Sequence, residues 1–281
     1  MTKEPEFFNL PEPHATFLRN ALDCLKKDER LAGIAAGGSY VTRSLDQFSD
    51  LDLLIAVEPA EYESVMSERQ VIARGLGSLH AAFTGEHVGE PRLLICLYSS
   101  PLLHVDLKFI RLSEAATRVE EPVVLWERDG RFSEALKTGT AVFPGPDLQW
   151  IEERFWVWVH YVAGKIGRGE LFEAIDGLSF LRVQVLGPLA LLSQGARPSG
   201  VRKIEFLAPE LAREMESTLA TYSAQSCAAA LHAAADLYRK LRRQLAEGNV
   251  SCRLSAEEAA MEYLEEVEAG VGSEAGARDQ K

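Results

Sequence analysis

The amino-acid sequence predicts an α+β protein: a mixed sheet with flanking helices first, then an all-α helical bundle. Three observations carry this. Short apolar runs at 31–36, 53–57, 92–98, 102–110 and 122–126 recur in the first half, between turn residues and helix-patterned stretches. A Pro- and Gly-rich stretch at 139–147, with Pro144, Gly145 and Pro146, interrupts that pattern. Beyond it the apolar spacing is helical. The expected divisions are a first domain at 1–143, a helical domain at 144–269, and a disordered polar tail at 270–281.

Pro5, Pro11 and Pro13 make 1–13 an extended lead-in. Residues 14–27 read as a helix, because Phe17, Leu18, Ala21, Leu22 and Leu25 follow its period. A strand at 31–36 runs into the glycine turn Gly37, Gly38 and Ser39, then a short helix and a second strand at 53–57. A long helix is expected over 61–82, broken or bent by Gly75 and Gly77, followed by a loop at 85–91. Strands at 92–98 and 102–110 form a hairpin. In the second of them, Val105, Leu107 and Phe109 face one way and His104, Asp106 and Lys108 the other. A further strand at 122–126 and a short helix at 131–138 complete the first half. Helices are expected at 148–167, 170–192, 209–220, 223–247 and 255–269, with a basic loop at 194–203. Residues 170–192 are apolar almost all round, which suits a central bundle helix kinked at Pro188.

A length of 281 residues allows one large or two ordinary domains. The formal charge of -12 repels a nucleic-acid backbone and argues against a nucleic-acid partner, while it suits a cationic small molecule. Cys24, Cys96, Cys227 and Cys252 show no zinc or redox spacing and fit a reducing cytoplasm. The N-terminus lacks the basic and apolar regions of a signal peptide. No apolar run reaches the ~20 residues of a membrane span, so the expected location is cytoplasmic, without a membrane partner.

The chemistry concentrates at 37–52. Asp50 and Asp52 stand where the second strand begins, and residues i and i+2 of a strand point the same way. Two carboxylates converging on one point repel each other unless a cation sits between them. A glycine turn allows close backbone approach, and N–H groups at a helix start suit a phosphate. Asp106, on a later strand, adds a third carboxylate. Three carboxylates from adjacent strands can hold two Mg²⁺ ions about 3.5–4 Å apart, the spacing of two-metal phosphoryl-transfer sites.

Gly38 and Ser39, then Asp50 and Asp52, then Asp106 between Val105 and Leu107, resemble the nucleotidyltransferase superfamily that includes DNA polymerase β. The resemblance is closest to its aminoglycoside and lincosamide nucleotidyltransferases, in which a helical domain follows the catalytic one. It covers about residues 31–110 by motif, and 148–250 by architecture alone. It implies that Asp50 and Asp52 bind both Mg²⁺ ions and that Asp106 binds the catalytic one and helps deprotonate the acceptor. Gly38 and Ser39 would hold the β- and γ-phosphates of ATP. Arg43, in the helix after the glycines, and Lys165, on the first bundle helix, would approach the triphosphate, although each also suits an exposed helix surface. The implied reaction moves AMP from ATP to a hydroxyl of a small, aminoglycoside-like acceptor and releases pyrophosphate, in a monomer or homodimer. A protein acceptor, as in adenylylating antitoxins, is the alternative, followed by a non-catalytic nucleotide-binding module. Glu127, Glu152 and Glu153 are candidate general bases, and Lys108 a candidate counter-charge to the aspartates.

Overall fold

A computed structural model describes residues 10–246, 248 and 250–278. The chain divides into two compact units, Met1–Phe143 and Pro144–Lys281. Most of the expected lead-in, 1–9, lies outside the described residues.

In the first unit the elements run α1 (Glu12–Leu25), β1 (Leu31–Ala36), α2 (Gly38–Val41), β2 (Leu51–Val57), α3 (Tyr62–Gly75), β3 (Leu79–Gly85), β4 (Glu90–Tyr98), β5 (Leu103–Arg111), β6 (Val123–Glu127) and α4 (Arg131–Lys137). The six strands form one mixed sheet in the order β3-β4-β5-β2-β1-β6. Only β2 and β5 pair in parallel; the other neighbours are antiparallel.

Strand β1 is apolar throughout because both its faces are covered. Leu31, Ile34 and Ala36 join a core with Phe17, Leu18 and Leu22 of α1 and Tyr62 and Val65 of α3. Ala32 and Ala35 pack on the other side with Phe132 and Leu136 of α4. Gly33 is needed there, since a Cβ at this position would lie 2.5 Å from Phe132 Cδ1.

The helix expected over 61–82 stops at Gly75, and Leu79–Gly85 is an edge strand paired with β4. Leu76 and Leu79 continue the helical spacing, but cross-strand pairing overrides it, as it often does at a sheet edge. The loop expected at 85–91 shrinks to one short turn at Glu86–Val88 before β4 begins.

The second unit contains α5 (Leu148–Gly167), α6 (Leu171–Leu181), α7 (Gly187–Ser193), α8 (Ile204–Leu207), α9 (Pro209–Glu216), α10 (Ala224–Leu245) and α11 (Leu254–Arg278). Asp147 caps α5 by accepting from the Trp150 amide, and Ser223 caps α10 through the Ser226 amide. The apolar stretch at 170–192 forms α6 and α7, joined through a π-helical turn at Arg182–Leu186. That wider turn absorbs the backbone bond that Pro188 cannot donate. Leu171–Ser193 is long and apolar enough to cross a membrane, contrary to the expectation that no run reaches that length, but half of its most apolar 18-residue window is buried inside the protein. Leu178, Leu181, Val185 and Leu189 belong to the bundle core, which accounts for its composition.

Helix α11 runs to Arg278, through most of the polar stretch expected as a tail from residue 270. Val267 and Val271 pack against the bundle core one helical turn apart and carry the helix past Gly270.

Glu152, at 0% exposure, ties three elements together. Its carboxylate accepts from the Tyr238 hydroxyl at 2.6 Å, the Arg242 guanidinium at 2.9 Å and the Arg253 amide at 2.8 Å. Burial alone would push its pKa up, but the bonds from Tyr238, the Arg253 amide and Arg242 outweigh that and hold it below the ordinary 4.5. Because the folded value is depressed, this stabilisation is complete above the unfolded value of 4.5 and is lost as pH falls through the lower, folded value. Arg242→Met should cost about 3–5 kcal/mol by stranding the carboxylate, measured by urea unfolding at pH 7. In the same assay at falling pH, the wild type should lose stability over that range, and Glu152→Gln should flatten the loss.

Candidate active site

The parallel register of β2 and β5 sets Asp52 directly beside Asp106, and Asp50 precedes β2 by one residue. One carboxylate oxygen from each of Asp50, Asp52 and Asp106 lies within 4.8 Å of the others. All three residues are half-buried. Three like charges this close favour a bound cation, and an all-oxygen donor set suits a hard ion such as Mg²⁺.

The glycine turn is clamped onto this cluster. The Gly37 amide donates to the Asp52 carbonyl at 2.9 Å. Gly38 has φ +56, and a Cβ there would overlap Asp52 Oδ2. Both conditions demand glycine. The Ser39 hydroxyl oxygen is buried without a hydrogen-bond partner, which is uncommon for a polar atom unless something else serves it.

Two contacts were not legible in the sequence. Glu120 accepts the Gly38 N–H at 2.7 Å from 82 residues away. It lies in an irregular segment next to Glu121, and no pattern singles it out. His104 binds Asp106 Oδ1 through Nε2 at 2.9 Å. The alternation of β5 puts the two on one face, and the His104 side chain is half exposed.

Other candidates are engaged elsewhere. Lys108 pairs with Glu90 at 2.6 Å instead of balancing the aspartates. Arg92, and then Lys108, hold the Glu90 carboxyl down at about 2 against the effect of burial. Glu127 accepts from the Ser133 amide and hydroxyl and so fixes the start of α4. Glu152 is consumed by the buried cluster, and Glu153 pairs with Arg253 at 3.1 Å. Arg43 follows α2 rather than lying within it; it is exposed, at φ 54. Lys165 pairs within its own unit with Glu170 at 2.6 Å and Glu173 at 3.4 Å. The bond it donates to Glu170 is the main reason its pKa is raised.

Paired carboxylates at a strand start, a third on the parallel neighbour and a glycine turn pressed against them match the arrangement that the resemblance to nucleotidyltransferases implies. The family model described as streptomycin adenylyltransferase matches residues 14–267, and the chain belongs to that family. The protein is an adenylyltransferase, an enzyme of AMP transfer. Among solved structures, an aminoglycoside 6-adenyltransferase from Bacillus subtilis is similar at 18% identity and a TM-score of 0.41, covering 89% of this chain and 96% of that one. A nucleotidyltransferase-like protein from Exiguobacterium sibiricum is similar at 16% identity and a TM-score of 0.38, covering 83% and 77%. No curated protein matches the chain.

Gly38→Ala should lower kcat/KM for AMP transfer about 100-fold, because the new Cβ must displace the Asp52 carboxylate. The check is steady-state kinetics well below the melting temperature together with a thermal melt, which should fall by only a few degrees for the strained backbone while the chain stays folded in the assay.

Proposed function

We propose that this enzyme transfers AMP from ATP to a hydroxyl of a small, cationic, aminoglycoside-like acceptor, with two Mg²⁺ ions and release of pyrophosphate. The convergence of Asp50, Asp52 and Asp106 within 4.8 Å is the observation that supports it most. Those three carboxylates fit divalent cations, and the buried, unpartnered Ser39 hydroxyl fits a ligand at the glycine turn. Asp50 and Asp52 would hold both ions and Asp106 the catalytic one. When bound, the ions supply neutralisation of the charge that builds on the attacking and leaving oxygens.

The rest is done by the chain itself. Gly38 and Ser39 receive the β- and γ-phosphates, and Glu120 must give up the Gly38 N–H for that donor to serve a phosphate. His104 holds one oxygen of Asp106 and so orients the carboxylate nearest the acceptor hydroxyl, whose proton Asp106 helps remove. Arg43 is exposed and available to the triphosphate, whereas Lys165 reaches a phosphate only by leaving Glu170.

An acceptor rich in ammonium groups suits the charge of -12.

The test is incubation with ATP labelled at the α-phosphate, Mg²⁺ and a panel of aminoglycosides and lincosamides. Label should move to an acceptor as pyrophosphate appears. Asp52→Asn and Asp106→Asn should each lower kcat about 100-fold or more. Chelation should stop turnover and added Mg²⁺ restore it. Turnover that survives chelation would overturn the metal assignment, and label on no small acceptor would overturn the substrate class.

A further inference from the structure

His14 lies in the first turn of α1 and is 1% exposed. Its Nε2 is 2.8 Å from the carbonyl oxygen of Ser49, the residue before Asp50. A carbonyl only accepts, so Nε2 carries the hydrogen and donates. The other ring nitrogen, Nδ1, is buried without a hydrogen-bond partner. A buried, unpaired nitrogen is unfavourable, and a hydrocarbon side chain at this position would avoid it. What the imidazole supplies, and a hydrocarbon does not, is the N–H to Ser49.

That bond matters because of where Asp50 stands. The β2–β5 ladder begins with Leu51 opposite Val105, one residue after Asp50. Asp52 is held by its register beside Asp106 and by the Gly37 amide on its carbonyl. The segment entering Asp50 is a tight turn. Asp46 Oδ1 accepts from the Phe48 amide and the Ser49 hydroxyl, each at 2.9 Å, and the Asp46 amide donates to the Ser49 oxygen at 3.0 Å. This turn is closed on itself and exposed, and His14 ties its last carbonyl to a helix seated in the core by Phe17, Leu18 and Leu22.

We propose that His14 is a positioning residue: by fixing the Ser49 carbonyl it aims the Asp50 carboxylate at Asp52 and Asp106. The proposal rests on the metal-dependent function given above. His14 touches neither substrate nor metal and acts through the backbone of Ser49 and Asp50.

The test is Mn²⁺ binding to the full chain in the presence of α,β-methylene-ATP, read from the electron paramagnetic resonance of free Mn²⁺. His14→Leu should bind Mn²⁺ up to about ten-fold more weakly, the fold-change equivalent of one hydrogen bond. In turnover it should lower kcat with little change in the KM for ATP. His14→Gln keeps an amide N–H at similar reach and should recover most of the affinity. Leu18→Ala, which weakens the packing of α1 without touching the bond, should leave Mn²⁺ affinity unchanged. If His14→Leu fails to fold, His14→Asn, whose amide is too short to reach Ser49, takes its place. Wild-type affinity in the donor-less variant, or equal losses in His14→Leu, His14→Gln and Leu18→Ala, would overturn the positioning role. The separate control is Asp106→Asn: if the wild type binds Mn²⁺ no better than that variant, the metal-dependent function itself falls, and the role of His14 with it.

Discussion

The constraint on which the first unit depends is the parallel pairing of β2 with β5. It is the single parallel ladder in the six-stranded sheet, and it sets Asp52 level with Asp106. With Asp50 these carboxylates repel one another across a few ångströms. A sheet held together by burial on both faces tolerates that repulsion, because the buried partners on the same strands hold the register. Leu51, Leu53 and Ile55 of β2, and Val105, Leu107 and Phe109 of β5, are all buried. Slipping either strand by one residue would put the charged set into the core. The apolar alternation therefore secures the register that the acidic residues work against.

The second unit meets a related problem differently. Glu152 is fully buried yet stays below its ordinary pKa, because Tyr238, the Arg253 amide and Arg242 meet its lone pairs. Such a cluster contributes little net stability compared with apolar packing, but it specifies how α5, α10 and the start of α11 are arranged. Glu152 stands as a single carboxylate among donors from α10 and the start of α11, whereas each of the three aspartates faces two other carboxylates.

What the sequence made legible follows from how local the signals are. The alternation in β5 is local, so the shared face of His104, Asp106 and Lys108 could be read directly. The spacing of Asp50 and Asp52 is local too. Strand β3 could not be read, because His80, Ala81 and Ala82 have weak strand preference and the partner that makes them a strand is β4. The pairing of Lys108 with Glu90 and the bond from the Gly38 amide to Glu120 join residues far apart in the chain, and no periodicity encodes them. At the end of α11 composition points to a polar tail, while Val267 and Val271, one turn apart, pack on the bundle core, a contact that composition does not encode.

The bond between Glu120 and the Gly38 amide has a thermodynamic consequence. An anion arriving at that amide gains the difference between two hydrogen bonds, since one internal acceptor must be traded for another. Under the proposed function, the same exchange would run in reverse when a phosphate-bearing product departs, because the amide would return to a partner already tethered beside it. An internal carboxylate in this position would then weaken capture and ease release together, moving the balance of the site away from tight holding and toward turnover.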